Sequence, residues 1–138
     1  MCSSDLDRNL YLWDVAHTQQ VAVLTGHTAQ PVLLGFNRAG DRLASRGWDS
    51  LLKLWDVPSG RELLSWQQGA NTLQFSPDDR WLGIAPVDSG RRDLALMEVA
   101  QGWECRTLGR HTNGSPFSAS FSADGRLLAT AGDDGVRL

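Results

Sequence analysis

The sequence predicts an all-β protein built from repeated four-stranded antiparallel sheets. Three observations carry this expectation. The segments WDVAHTQQVAVLTGH (13–27), WDVPSGRELLSWQQG (55–69) and MEVAQGWECRTLGRH (97–111) align without a gap, with starts 42 residues apart both times. A fixed period near 40 residues marks a repeat architecture and takes precedence over any local assignment. Within each period, short apolar or alternating runs are bounded by Gly, Pro, Asn, Asp and Ser, the pattern of strands and tight turns. No window sustains a helical period, so no helix is expected.

The elements follow in chain order. Residues 8–25 read as half a repeat, with a third strand over 8–14 and an outer strand over 20–25. Residues 26–66 form the best-preserved complete repeat, with strands near 31–37, 41–47, 51–56 and 61–66. Residues 67–108 form a degenerate complete repeat, and 109–138 a truncated one with three strands. First hairpin turns fall at Asn37–Gly40, Ser76–Asp79 and Ser122–Gly125, where Asp, Pro and Gly supply turn geometry and local hydrogen bonds. Residues 1–7 read in one of two ways. MCSSDL is what a common sequencing adapter would encode, an artefactual start. The alternative is a genuine, truncated end of a second strand, since Ser3 precedes Asp7 by four residues as Ser45 precedes Asp49.

Composition narrows the function classes. With 138 residues, 41% hydrophobic and 21% charged, the chain is an ordinary soluble globular domain. A net charge of −3 leaves no basic footprint for nucleic acid. No apolar run approaches the ~20 residues of a membrane span, and residues 1–6 lack the charge and apolar core of a signal peptide. Cys2 and Cys105 show no metal-ligand spacing. A disulfide between them stays open, but a reduced cytoplasmic protein is expected. Six tryptophans in so short a chain require a structural reason.

The repeat supplies it. Its intact copy opens on Gly26-His27 and closes on Trp55-Asp56. With the period, this resembles the WD-repeat β-propeller family, whose blades are four-stranded antiparallel sheets around a channel. The resemblance covers nearly the whole chain. It implies a partial β-propeller of two complete and two incomplete blades. A propeller closes with ~4–8 blades, so a fragment of a longer reading frame is expected.

His27, Ser45 and Asp49 are the residue types of a nucleophile triad. The family resemblance implies instead that these three and Trp55 form a buried hydrogen-bond chain. The chemistry fits: Asp49 accepts from one His27 nitrogen, the other accepts from the Ser45 hydroxyl, and Ser45 accepts from the Trp55 indole. No G-x-S-x-G elbow supports a nucleophile. Partial networks are expected at Asp7 with Trp13, and at His111 and Thr130 with either Asp133 or Asp134. The middle repeat keeps only Asp88. Gly69, Ile84 and Met97 replace its His, Ser and Trp, so apolar packing of Leu82, Ile84, Leu94 and Leu96 should hold it.

No catalytic, cofactor or metal set is expected. Asp133-Asp134-Gly135 lacks the ligand count of a calcium loop, and no Gly-Lys dipeptide marks a phosphate loop. His17 and Arg91-Arg92-Asp93 read as solvated loops. Asn113-Gly114-Ser115 is a formal glycosylation sequon followed by Pro116. The resemblance places Gln30, Val32, Trp48, Asn71, Val87, Ser115 and Phe117 on the top face as candidate partner contacts. Trp48 is either a binding anchor or a ring lying flat on its own blade. Trp66 and Trp103 are expected between blades, and Trp81 in the core or at an edge.

The expected function is a non-catalytic scaffold for an unidentified protein or peptide, alongside neighbouring blades of the same protein. Regular spacing and turn style resemble bacterial multi-repeat WD proteins, where the propeller is often joined to a Ser/Thr kinase or other signalling domain. The alternative is a propeller enzyme with catalytic groups lining its channel. That would need His and carboxylate side chains from several blades, and the histidines are already engaged in blade networks.

Overall fold

The computed structural model describes residues 7–67, 69–86, 93–100, 104–111 and 116–137. These hold thirteen strands and no helix, in four antiparallel sheets whose strands neighbour one another in chain order. The first sheet pairs β1 (Leu10–Asp14) with β2 (Gln19–Leu24). The second contains β3 (Pro31–Phe36), β4 (Arg42–Gly47), β5 (Leu51–Asp56) and β6 (Arg61–Gln67). The third contains β7 (Ala70–Phe75), β8 (Trp81–Pro86), β9 (Asp93–Glu98) and β10 (Cys105–Arg110). The fourth contains β11 (Pro116–Phe121), β12 (Leu128–Gly132) and β13 (Gly135–Arg137).

Turn chemistry sets the register. Asn37, Ser76 and Ser122 begin the first hairpin of the last three sheets. Each carbonyl accepts from the N–H three residues on, at Gly40, Asp79 and Gly125. Each opening side chain accepts from the N–H five residues on, at Arg42, Trp81 and Leu127 (2.9, 2.9 and 3.0 Å). The fourth turn residue is left-handed in all three, with φ of 76°, 57° and 70°. Glycine suits that conformation at two positions. Asp79 has a second role at the third, because its carboxylate accepts from the backbone N–H groups of Arg38 and Ala39 (2.6 and 2.9 Å), tying two sheets together.

Sheets stack through their faces. Trp55 packs with Leu10, Leu12, Leu24 and Leu43 between the first and second sheets. Ala44, Leu52, Leu54, Phe75, Leu82, Ile84 and Met97 form the core between the second and third, with Trp66 and Leu64 against it. Burying one such side chain contributes roughly 1.5–3 kcal/mol, so packing between sheets is a large stabilising contribution to the fold. The first strands of the last three sheets also lie side by side, β3 against β7 and β7 against β11. Successive meander sheets with adjacent innermost strands are blades of a partial β-propeller.

Candidate functional site

The second sheet brings His27, Ser45, Asp49 and Trp55 together. His27 lies in the loop entering β3, Ser45 on β4, Asp49 in the β4–β5 turn and Trp55 on β5. His27 Nδ1 donates to Asp49 Oδ2 at 2.8 Å, and Ser45 Oγ donates to His27 Nε2 at 2.8 Å. Trp55 Nε1 donates to Ser45 Oγ at 2.8 Å. Asp49 also accepts from the Thr28 N–H at 2.8 Å and the Leu51 N–H at 3.0 Å. Burial pushes the Asp49 carboxyl upward, but the His27 bond and the two backbone donors outweigh it and leave it below its ordinary value.

Close approach makes this chain possible. A Cβ on Gly47 would lie 2.7 Å from Asp49 Oδ1 and 2.8 Å from His27 Nδ1, so only glycine lets these groups meet. Triad-like spacing does not make the site catalytic. Ser45 is 0% exposed, and its oxygen is held between an imidazole and an indole. A nucleophile must reach its substrate, and this one is sealed by packing.

The fourth sheet contains a second arrangement of the same type. His111 Nδ1 bonds Asp134, and Thr130 Oγ1 bonds His111 Nε2 at 3.0 Å. Of the two candidate aspartates, Asp134 takes the network position while Asp133 faces solvent. Gly132 makes the same clearance as Gly47, since a Cβ there would meet His111 Nδ1 at 2.8 Å.

The first sheet differs from expectation. Trp13 is 60% exposed, and Asp7 accepts from the Tyr11 hydroxyl and the Asn9 N–H, so Asp7 and Trp13 form no network. The reason is local: the described part of this sheet has two strands and presents neither a His nor a Ser to bridge the pair. His17 sits on the surface with Nδ1 2.7 Å from Asp14. In the third sheet, Leu82, Ile84, Leu94 and Met97 are buried, while Leu96 is partly exposed. Asp88, Val87, Ser115, Trp103, Arg91, Arg92 and Asn113 lie outside the described residues.

Trp48 stands beside the network at the end of β4 and is 66% exposed. Its N–H donates to the Gln30 carbonyl at 2.9 Å, and the Arg46 guanidinium lies 5.4 Å from its ring. With Arg8, Thr28, Ala29 and Gln30 it lines a groove of about 240 Å³. Val32 (40%) and Phe117 (58%) are exposed near the corresponding ends of β3 and β11. Asn71 differs, because its amide donates to the Pro116 carbonyl at 3.1 Å and links β7 to β11. The Arg46–Trp48 stack was not read from sequence. The available signal was only the spacing, an Arg near the end of β4 two residues before a Trp in the following turn. Among the described residues, no group of His, Cys, Asp and Glu side chains could hold a metal ion.

Comparison with known proteins places these features in a family. The family model described as "WD domain, G-beta repeat" matches residues 18–56 and 102–138. Periodic tryptophan protein 2 homolog of Schizosaccharomyces pombe is 27% identical over 96% of this chain and 18% of that protein. Protein tipD of Dictyostelium discoideum is 31% identical over 83% of this chain and 18% of its own length. Small ribosomal subunit protein RACK1y of Oryza sativa subsp. japonica is 32% identical over 97% of this chain and 41% of that protein. The chain thus spans less than half the length of these eukaryotic relatives. By the family match and by its blades, the chain belongs to the WD-repeat family.

Proposed function

We propose that the chain is a non-catalytic WD-repeat scaffold that binds a protein or peptide through the blade ends bearing Gln30, Val32, Trp48 and Phe117. The observation that carries this reading is the exposed Trp48 ring, set above a rigid hydrogen-bonded turn and beside a groove. A tryptophan there offers a large apolar surface whose position is already set, so little ordering cost remains on binding. The Arg46 contact holds the ring in place without covering it. A net charge of −3 favours a protein partner over nucleic acid. The exposed Cys105 thiol suits a reducing, cytoplasmic setting. Membership of a larger, bacterial signalling protein belongs to the same proposal and rests on the regularity of the repeats.

A peptide library selected on the immobilised chain tests the reading. Trp48→Ala should weaken selected peptides by roughly thirtyfold, a hot-spot effect of about 2 kcal/mol, with the melting temperature unchanged. Peptides that bind Trp48→Ala and the parent chain equally would remove Trp48 from the binding surface.

A further inference from the structure

Arg46, near the end of β4, is a buried cation without a counter-ion. It is 8% exposed, and its Nε has no hydrogen-bond partner. Among the described residues, no carboxylate lies within ion-pair distance of its guanidinium, which rests 5.4 Å from the Trp48 ring. Other basic groups of these sheets are matched. Buried Lys53 bonds Glu62 at 2.7 Å and Ser65 at 3.0 Å. Arg42 bonds Asp56, and Arg80 bonds Glu98 at 3.1 Å. Asp49, three residues from Arg46, is already taken by His27 and by the Thr28 and Leu51 N–H groups. A buried charge with no partner costs stability, so its presence calls for a reason outside the fold.

The blade itself does not need an arginine there. Arg46 pairs with Leu33, just past the irregularity in the β3–β4 ladder. In the third and fourth sheets the same register position, opposite Thr72 and Ser118, holds Ala85 and Ala131. The cation is thus confined to the sheet that presents Trp48. The adjoining groove carries the same sign. Arg8 lies on its wall, and its other lining residues, Thr28, Ala29, Gln30 and Trp48, include no acid. Asp7, next to Arg8 in the chain, is engaged by Tyr11 and Asn9.

We infer that this surface takes an acidic segment of the partner: an Asp or Glu carboxylate pairs with Arg46 while a neighbouring apolar side chain covers the Trp48 ring. The inference rests on Trp48 as the binding surface and adds the chemistry of what binds there. Nε alone is enclosed without a partner, so the two Nη groups are the ones open to a carboxylate. They donate in parallel to its two oxygens, a fit of shape as well as charge. Low local polarity beside the indole strengthens the pair. One buried guanidinium balances one carboxylate, whereas a phosphoryl group brings a charge of about −1.5 to −2.

Peptides selected from a random library on the immobilised chain test the assignment. They should carry an Asp or Glu beside an apolar residue. Replacing that acid by its amide should weaken binding roughly tenfold or more, the worth of a hydrogen bond to a charged group. On Arg46→Ala the acid and amide peptides should bind alike. Arg46→Ala should hold or raise the melting temperature, because alanine fills this position in two other sheets. Arg46→Lys keeps the charge without the planar fork and should show a reduced acid preference, so the measurement stands even if Arg46→Ala misfolds. An acid preference that survives in both variants would overturn the assignment, as would tighter binding when phosphoserine replaces the acid. Peptides that need Trp48 but carry no acid would overturn it while leaving the Trp48 surface in place. Peptides indifferent to Trp48→Ala, or no selected peptides, would remove both.

Discussion

The second and third sheets have the same strand order and similar turns, but different interiors. In the second, a buried polar chain runs from Asp49 through His27 and Ser45 to Trp55. In the third, Gly69, Ile84 and Met97 occupy the positions of His27, Ser45 and Trp55, and Ile84 and Met97 are 1% and 2% exposed. The blade shape therefore does not require the polar chain. It requires turns that fix register and side chains that fill the space between sheets. The polar chain is coupled, since His27 and Ser45 are each satisfied by their neighbours in it, while Asp49 also has two backbone donors. The apolar interior has no such condition and tolerates replacement piecemeal.

Breaking the two interiors should therefore have different consequences. The largest effects come from emptying them. Trp55→Ala is expected to cost about 3–5 kcal/mol and Met97→Ala about 2–5 kcal/mol by denaturant unfolding. Conservative changes separate the sheets more sharply. Met97→Leu should cost under about 1.5 kcal/mol because volume is kept. His27→Ala should cost more, about 1–3 kcal/mol, because Ser45 loses its acceptor and Asp49 one of its three donors. Equal costs for Met97→Leu and His27→Ala would mean that the polar chain adds nothing distinctive.

Acid provides the next distinction. Asp49 sits below its ordinary value of 3.8 in the folded chain. A carboxyl lowered on folding stabilises above the unfolded value, and that contribution is lost as pH falls through the folded value. Unfolding free energy should thus decline below about pH 4, and Asp49→Asn should flatten part of the decline. Asp78, lowered by the Ser76 hydroxyl with help from backbone donors, carries an acid response in the third sheet that Asp49→Asn should leave in place. An identical acid limb in Asp49→Asn and the parent would remove Asp49 from the account.

A further effect, smaller than emptying either interior, concerns the turns, which the sheets share. Gly125→Ala should cost about 1–2 kcal/mol, because it places a Cβ in the left-handed region at φ 70°. Thermal unfolding of this variant beside Gly40→Ala should show similar losses, since the two turns have the same bonds.

Much of this was legible because repeats compare a sequence with itself. The 42-residue spacing of Trp13, Trp55 and Met97 indicates sheet succession, and the turn residues at Asn37, Ser76 and Ser122 place the strands to within about a residue or two. The network residues were legible through the resemblance to WD-repeat blades, with which the donors and acceptors of His27, Ser45, Asp49 and Trp55 agree. Burial was not. Trp13 and Trp55 share the same Trp-Asp pair, yet one is 60% exposed and the other 1%. What covers a ring depends on the neighbouring sheet, which no local pattern reports. Asp79 was read only as a turn residue, and its bonds across to Arg38 and Ala39 span some 40 positions of sequence. Asn71 was read as free for a partner, whereas its amide joins two strands.

The central claim is that Asp49, His27, Ser45 and Trp55 act as one structural unit and not as a reactive site. A double-mutant cycle on Ser45→Ala and Trp55→Phe tests it most directly, because the second change removes the indole N–H and keeps an aromatic ring. Unfolding free energies should show a coupling of about 0.5–3 kcal/mol, the range for residues in one hydrogen-bond network. Strict additivity, within about 0.3–0.5 kcal/mol, would show that the indole and the hydroxyl stabilise the blade independently and would contradict the account.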